Sequence, residues 1–232
     1  MLLIYYLAVP RLTKHHQDPR KSSFDLRNHC YDLIYKVILA IDEPSLQAQA
    51  SADGQHNIVA RRRNEAYEVI SNSKDEVFLT SLYDWYLARG LSERLLEIKT
   101  PFVATYLQRR STEDIFHADL LWRYYMQSNQ FYDAASVQFE LAKSPFLLTL
   151  SRRIEYLSQA RANASISTPD VPRASRQRLQ QDVALYLDIS HVQDDLLQRL
   201  KDETRIEPDR KAGVLDEVNG NIMELSTVSS LL

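Results

Sequence analysis

The sequence predicts an all-α protein, an α-solenoid in which antiparallel helical hairpins stack into a superhelix. The first observation is glycine usage: the chain of 232 residues has only 4 glycines, where average usage would give roughly sixteen. Sheet-rich folds and phosphate-binding loops need glycine, and these four are isolated from one another. The second observation is a helical hairpin at 119–142, and the third is a similar hairpin about 40 residues upstream.

The hairpin at 119–142 has an apolar pattern on both sides of a polar turn. In its first half, apolar residues recur with helical spacing at Ala118, Leu121, Trp122 and Tyr125. Ser128-Asn129-Gln130 is typical of a turn, and the pattern then resumes with Phe131, Ala134, Ala135, Val137 and Leu141. A lone hairpin cannot bury both faces, so a neighbour must stack on it. As a core residue, Trp122 should cost about 3–5 kcal/mol when replaced by Ala.

The upstream copy supplies that neighbour. A shift of 40 residues places Phe78, Leu82, Trp85, Tyr86, Leu91 and Leu95 on Ala118, Trp122, Tyr125, Met126, Phe131 and Ala135. The string Thr100-Pro101-Phe102-Val103 recurs as Ser144-Pro145-Phe146-Leu147 after 44 residues. Hairpins repeating at this period are typical of an α-solenoid.

The first third of the chain predicts a loop followed by helices. Residues 1–23 are a poorly defined segment, and its apolar start is too short to span a bilayer; it is a core helix or an effect of where the chain was cut. A helix over Phe24–Asp42 should bury the stripe Cys30, Ile34, Val37 and Ile41. Pro44 can open a further helix, 47–57 is a loop, and Asn57–Ile70 is helical.

The middle of the chain carries clearer boundaries. Ser73 and Glu76 form a capping box, and Gly90 ends the helix that follows. Leu91–Ile98 is a short helix, and Thr100-Pro101 starts another. Pro145–Ala162 is a helix that should point Leu148, Ile154 and Leu157 inward and Arg152, Arg153 and Glu155 outward.

The predicted organisation is a solenoid over 24–164, a linker at 165–172 and C-terminal helices over 173–232 that continue the stack. Two prolines mark the linker. The apolar stripe of Arg173–Arg205 changes phase near Ser190, so this segment is either two helices or one that bends. Pro208 opens a last helix to about Val218, and the abrupt chain ends favour a piece of a longer protein.

Charge and composition limit the function. A net charge of −3 gives no general attraction to nucleic acid or anionic lipid, and the single cysteine excludes an internal disulfide framework. From Arg152 to Arg178 there are 6 basic and 2 acidic side chains, and from Asp182 to Glu224 there are 11 acidic and 5 basic. Such asymmetry can orient an element against a partner.

No motif points to catalysis, because the phosphate-binding, zinc-protease, nucleophile-elbow and paired-cysteine patterns are all missing from the sequence. Each remaining candidate has a simpler structural interpretation. Cys30 beside His29 is a buried structural cysteine, since neighbours in sequence point to different helix faces. His15-His16 is a loop pair, and Asp114 with His117 belongs to a helix's first turn rather than to a metal site. We therefore predict no enzyme and no catalytic, cofactor or metal-binding residue.

Two further clusters are candidates for nucleic-acid contact. Arg61-Arg62-Arg63 fans around a helical turn beside glutamates, which favours a solvated face. The aromatic residues Trp85, Trp122, Tyr124 and Tyr125 are a candidate base-stacking platform, but their helical spacing favours a core. The sequence does not identify the partner-binding residues.

The chain resembles the C-terminal α-solenoid of the large propeller-and-solenoid scaffold nucleoporins of the nuclear pore inner ring, the one-fifty-five/one-seventy type. The resemblance covers about 60–162 well and the helices from Phe24 and Arg173 more loosely. It rests on Leu82-Tyr83-Asp84-Trp85, Pro101-Phe102, Leu120-Leu121-Trp122-Arg123-Tyr124-Tyr125 and Arg153-Ile154-Glu155-Tyr156-Leu157.

The resemblance implies a non-enzymatic scaffold at the nuclear pore complex, with other nucleoporins as partners. Short linear segments of linker nucleoporins would insert apolar anchors into grooves between adjacent helices. Membrane contact belongs to the propeller in this family, so we expect none here, and no direct nucleic-acid contact. The alternative is a vesicle-coat or cargo-adaptor solenoid; a small helical enzyme or nucleic-acid binder is the third hypothesis.

Overall fold

The computed structural model describes residues 19–42 and 56–223, and these two ranges contain helices and no strand. The helices are α1 Pro19–Asp42, α2 His56–Ser71, α3 Glu76–Ala88, α4 Ser92–Glu97, α5 Pro101–Ser111, α6 Ile115–Gln127, α7 Phe131–Lys143, α8 Leu150–Ser165, α9 Arg173–Asp202 and α10 Pro208–Val218. Within these ranges, every helix falls short of the combined length and apolarity that a bilayer crossing needs. The predictions for 1–18, for Pro44 and for most of the 47–57 loop lie outside the described residues.

The chain divides into two compact units, Met1–Phe102 and Val103–Leu232, which are described separately. In the first unit, α1 packs on α2 and α3. The Tyr35 ring stacks on Trp85 with centroids 4.9 Å apart, and its hydroxyl bonds Ser81 Oγ at 2.8 Å. These contacts position α1 on α3 by its tyrosine face.

The predicted end of α1 at Asp42 is confirmed, whereas its predicted start and part of its predicted apolar stripe are wrong. Of that stripe Ile34 is buried, and the Ile41 side chain lies outside the described residues. The helix begins at Pro19 rather than Phe24, because proline is well tolerated in a first helical turn. The buried stripe is Tyr31, Ile34, Tyr35 and Ile38. Cys30 is half-buried and Val37 is 38% exposed, since the two tyrosines offer more apolar area to bury than Cys30 and Val37.

The start of α3 also differs from its prediction. The N-cap is Asp75, whose carboxylate accepts the backbone N–H groups of Val77 and Phe78, both at 3.0 Å. Ser73 instead accepts the N–H of Asp75 at 3.3 Å. A charged oxygen is the stronger acceptor for a helix's unpaired N–H groups, so the capping box at Ser73 does not form.

An internal repeat relates α3–α4 to α6–α7, with a period of 39 residues. The N-caps Asp75 and Asp114 are 39 positions apart (114 minus 75), and α3 and α6 each have 13 residues. Gly90 at φ 69° and Asn129 at φ 57° are also 39 apart and end the two helices in the left-handed conformation. The predicted shift of 40 is therefore wrong by one residue. The apolar matches did not reveal this error of one residue. Where aromatic residues are consecutive, as at Trp85-Tyr86 and Tyr124-Tyr125, an apolar residue still aligns with an apolar residue after the shift.

Both helices of the repeat end in a Schellman motif. The Leu91 N–H donates to the Tyr86 carbonyl at 2.9 Å, and the Gln130 N–H donates to the Tyr125 carbonyl at 2.8 Å. Asn replaces Gly at the second copy because asparagine tolerates the left-handed conformation better than other side chains. The predictions of a helix end at Gly90 and of a turn at Ser128-Asn129-Gln130 are confirmed.

In the second unit, consecutive helices pack on one another from α6 to α10. Helices α7 and α8 are antiparallel, since Gln138 bonds Gln159 and Asn163 while Arg153 reaches the Ala142 carbonyl. The core joins α6, α7, α8 and α9 through the buried residues Ala118, Ala135, Phe139, Leu141, Ala142, Tyr156, Leu157, Ala160, Ala164, Leu179, Val183 and Leu187.

Helix α8 begins five residues later than predicted. Pro145 lies in an irregular segment, and the N-cap is Thr149, whose hydroxyl accepts the Arg152 N–H at 3.3 Å. Helix α9 is a single helix of 30 residues. Ser190 donates to the Tyr186 carbonyl at 2.7 Å, a bond that often bends helices. Helix α10 has both predicted ends, and the domain division around 165–172 stays a prediction.

Candidate partner-binding groove

A groove of about 510 Å³ opens on the second unit between α5, α6 and α7. Its walls come from the end of α5, one face each of α6 and α7, and the segment after α7. The lining residues are Gln108, Ser111, Thr112, Ala118, Leu121, Ser136, Val137, Glu140, Leu141, Ser144, Pro145 and Phe146. A volume of this size lies within the usual range for ligand-binding clefts.

Helical spacing produces the apolar floor. Ala118 and Leu121 lie at i, i+3 on α6, and Val137 and Leu141 lie at i, i+4 on α7, so each pair shares one helix face. Ala118 and Leu121 are each only 2% exposed. The floor is therefore apolar and can accept an apolar side chain.

Residues 144–146, the first part of the segment 144–149, form the end wall, and Arg153 holds this segment in place. The Arg153 guanidinium is 1% exposed and donates to the carbonyls of Ala142 at 2.7 Å, Ser144 at 2.8 Å and Phe146 at 2.9 Å. It also reaches the Gly220 carbonyl at 3.1 Å and Asn221 Oδ1 at 2.7 Å. All five of these partners are neutral oxygens.

Arg153 is paired with the end of a helix rather than with a carboxylate. Its acceptors Ala142 and Ser144 lie where α7 ends, where carbonyls lack helical partners and carry partial negative charge. Burial nevertheless lowers the pKa of Arg153, because a guanidinium loses water in the interior. The prediction that Arg153 points outward is wrong. It lies on the face of α8 that also carries Leu150 and Leu157, both fully buried.

A second network joins α6 to α8 behind the floor. Asp119 Oδ1 accepts from the Tyr156 hydroxyl at 2.7 Å and from Trp122 Nε1 at 2.9 Å. Burial, together with the hydrogen bond to Asp119, raises the pKa of Tyr156 to about 12. Arg152 packs over the Tyr156 ring at 4.6 Å and pairs with Glu155 at 2.6 Å.

A third set of bonds anchors the chain beyond α10. Gln193, 1% exposed, donates to the carbonyls of Val218 at 2.7 Å and Asn221 at 2.9 Å, and its Oε1 accepts the Met223 N–H at 2.9 Å. These bonds hold Asn221 where it can meet Arg153. The end wall of the groove is thus built from residues far apart in sequence.

Comparison with known proteins identifies the chain. Residues 6–230 match the family described as non-repetitive/WGA-negative nucleoporin, C-terminal. The chain belongs to this nucleoporin family. It is 41% identical over 209 residues to nucleoporin NUP170 of Chaetomium thermophilum and 35% identical over 209 residues to a probable nucleoporin of Schizosaccharomyces pombe. Each alignment covers 90% of this chain and only 15% of the relative, so the chain spans a small part of their length.

A solved structure gives the same fold. The Chaetomium thermophilum Nup170 CTD, crystallised as a complex with Nup145N, is similar to this nucleoporin chain at 40% identity and a TM-score of 0.79, over 93% of this chain and 41% of that one. The predicted fold class, an all-α solenoid, is confirmed, as is the resemblance to this nucleoporin type.

The structure gives the candidate residues of the sequence the following positions in the described part of this nucleoporin chain. His29 is exposed while Cys30 is half-buried, so the cysteine is less buried than expected. Asp114 caps α6, and its carboxylate is 2.8 Å from His117 Nδ1. The hydrogen bond from the Phe116 N–H, the largest cause, and the interaction with His117 lower the pKa of Asp114. Among the described residues no three His, Cys, Asp or Glu side chains could jointly hold a metal ion. His15-His16 lies outside these residues.

The basic and aromatic clusters also have structural positions. Arg61 and Arg62 are exposed, Arg61 pairs with Glu65 at 2.8 Å, and the Arg63 side chain lies outside the described residues. Tyr124 and Tyr125 are buried in the core. Trp85 and Trp122 are only half-buried, because Trp122 directs its indole N–H to Asp119 and Trp85 packs between Tyr35 and Arg89.

The sequence did not reveal the role of Arg153, although one signal was present. With Leu150 as the first residue of α8, positions 150, 153, 157, 160 and 164 form one stripe, and all of them are buried. The apolar members of that stripe place Arg153 inside.

Proposed function

We propose that this chain is part of a structural scaffold of the nuclear pore complex inner ring, at the nuclear envelope. In this role it binds short linear segments of linker nucleoporins, and so supports pore assembly and nucleocytoplasmic transport of protein and mRNA. The observation that carries the proposal is the 40% identity and TM-score of 0.79 to a Nup170 CTD solved with Nup145N.

The groove between α5, α6 and α7 suits this mechanism. Its apolar floor at Ala118 and Leu121 can bury an anchor side chain, and apolar anchors in well-packed pockets dominate peptide affinity. Arg153 already holds the end wall in place, so binding does not require the loss of conformational entropy that ordering a mobile loop would cost. The partner's segment inserts its anchor, and the stacked helices keep the site rigid.

The proposal includes no catalysis, no cofactor, no nucleic-acid contact and no membrane contact by this chain. The net charge of −3 supports the absence of general nucleic-acid affinity, and Arg61 is paired with Glu65. Submicromolar binding of single- or double-stranded nucleic acid at physiological salt would contradict this part.

A pull-down tests the partner class. Purified chain is incubated with immobilised linker nucleoporin segments, including Nup145N of Chaetomium thermophilum, and in parallel with vesicle-coat subunits. Retention by the nucleoporin segments alone is the expected result. Retention by coat subunits without binding to any nucleoporin segment would instead assign the chain to the coat and cargo-adaptor class.

A further inference from the structure

The polar atoms around the groove have a shared chemistry. Ser111 donates its hydroxyl hydrogen to the Gln108 carbonyl at 2.9 Å, Ser136 to the Tyr132 carbonyl at 2.9 Å and Ser144 to the Leu141 carbonyl at 2.7 Å. A hydroxyl has one hydrogen to donate and two lone pairs. Since each hydrogen is already used inside its own helix, these three serines offer acceptors to a ligand.

Gln108 and Glu140 add to the same preference. The Gln108 amide nitrogen donates to the Tyr125 hydroxyl at 2.7 Å, and its oxygen is an acceptor. The Glu140 carboxylate, whose side chain is 70% exposed, pairs with Lys143 through Oε1 at 3.0 Å. Glu140 is also the one charged residue among those that line the groove. The rim is therefore rich in acceptor oxygens, and its one charged group is a carboxylate, which can accept but not donate.

A second, more polar depression of about 260 Å³ adjoins the groove and extends this pattern. The two share Ser136 and Glu140, which lie one helical turn apart on α7 and form the ridge between them. Across the ridge the lining includes Asp182 and Arg178. Because Lys143 pairs with Glu140 and Arg178 lies beside Asp182 in the lining, neither sign of charge is in excess, and a ligand leaving the groove over this ridge meets mainly acceptor oxygens.

We propose that the groove binds a peptide segment whose apolar anchor is flanked by lysine or arginine, and that it rejects segments with acidic or phosphorylated residues at those flanks. This inference rests on the proposed function and specifies the chemistry of the partner. The anchor fills the floor at Leu121 and Val137. The backbone N–H groups of the segment and the basic side chains at its flanks donate to the serine and Glu140 oxygens. Basic side chains have hydrogens to donate to these acceptors, whereas carboxylates and phosphates have none, and this difference selects among apolar segments.

A random twelve-residue peptide library displayed on phage tests this preference. The full chain is the bait, and the flanks of the apolar residues in selected clones are sequenced. Enrichment of Lys and Arg over Asp and Glu is the expected result. Enrichment of acidic flanks, or no bias, would overturn the proposal.

A charge reversal places the preference on the ridge. Glu140→Lys should weaken binding of selected basic clones roughly tenfold and favour copies in which the flanking Lys residues are replaced by Glu. Glu217→Lys makes the same charge change at an exposed position on α10, and it should leave both affinities unchanged. Equal effects of the two variants would refute the assignment to this groove.

Two further measurements, peptide binding and sedimentation, distinguish failure of this inference from failure of the proposed function. Tiled peptides of Chaetomium thermophilum Nup145N are measured by fluorescence anisotropy on the same variants. If Nup145N peptides bind but are insensitive to Glu140→Lys, this inference fails while the proposed function stands. If none binds while basic library clones do, the proposed function fails and the groove preference stands. A dimer in sedimentation that Glu140→Lys dissociates would make a second copy the occupant and overturn the proposal.

Discussion

Replacing Arg153 by methionine tests the bonds that hold the groove's end wall. Methionine keeps a long apolar side chain but cannot donate, so five oxygens lose their partner. The bond to the Ala142 carbonyl is buried, and the other four are partly buried. A buried acceptor left unpaired costs about 1–3 kcal/mol, and water can satisfy part of the remaining four.

The variant also removes a desolvated charge, which offsets part of the loss. Hydrogen bonds to a charged group contribute about 1.5–3 kcal/mol, and because five oxygens are affected we expect Arg153→Met to fall at the upper end, about 3 kcal/mol. For a chain of 150–250 residues this corresponds to a decrease in Tm of roughly 6–12 °C. Urea unfolding followed by circular dichroism, with the thermal midpoint measured in parallel, gives both numbers.

The neighbouring arginine provides a matched control. Arg152 makes a surface ion pair with Glu155 and packs over the Tyr156 ring, and its side chain is 40% exposed. Arg152→Met should therefore cost about 1 kcal/mol. Amide exchange in segment 144–149 should accelerate in Arg153→Met and not in Arg152→Met. Equal stability of the two variants would show that Arg153 is solvated and does not hold the wall.

Three further substitutions test other parts of the second unit. Gln138→Leu leaves the buried Asn163 amide without its 2.9 Å acceptor and should cost about 1–3 kcal/mol in urea unfolding; an unchanged midpoint would contradict the bond. Asp114→Ala should cost about 1 kcal/mol at neutral pH. Because the folded pKa of Asp114 is lowered, that loss should shrink as the pH falls through the folded pKa, and a pH-independent loss would refute the cap. The raised pKa of Tyr156, about 12, keeps its phenol neutral in the folded chain, so stability should fall as pH rises from about 10 towards 12. Tyr156→Phe should flatten that fall in unfolding curves measured at several alkaline pH values, and an equally steep fall would exclude Tyr156 as its source.

Local features of the sequence predicted most of the fold. Capping and turn residues act within a few positions of themselves, so the end of α3 at Gly90, the turn at 128–130 and both ends of α10 were predicted correctly. The period of the repeat was predicted to within one residue. The apolar pattern alone does not determine the exact period. A one-residue shift rotates a position by about 100° around the helix, and the apolar stripe is itself about 100° wide or more, so many positions stay apolar after the shift.

Features that depend on distant residues were missed. The apolar stripe of α8 already indicates that Arg153 is buried, but its acceptors, carbonyls of α7 and of 220–221, are distant in sequence and leave no local signal. Trp122 was placed in the core, but the structure leaves it half-buried with its indole N–H on Asp119. The expected cost of Trp122→Ala decreases accordingly to about 2 kcal/mol. The groove likewise arises only when three helices and the 144–149 segment meet.

The bonds from Arg153 and Gln193 to the segment after α10 have a consequence for the order of folding. Hairpins such as α6–α7 close through neighbours in sequence, whereas the Arg153 bonds to Gly220 and Asn221 span 67 and 68 residues. Contacts of long sequence separation form late, because closing a long loop lowers the chain entropy before the contacts that stabilise it have formed. The end wall is therefore completed only after the C-terminal segment has docked. A partner that recognises this wall would therefore distinguish a fully folded chain from one still folding.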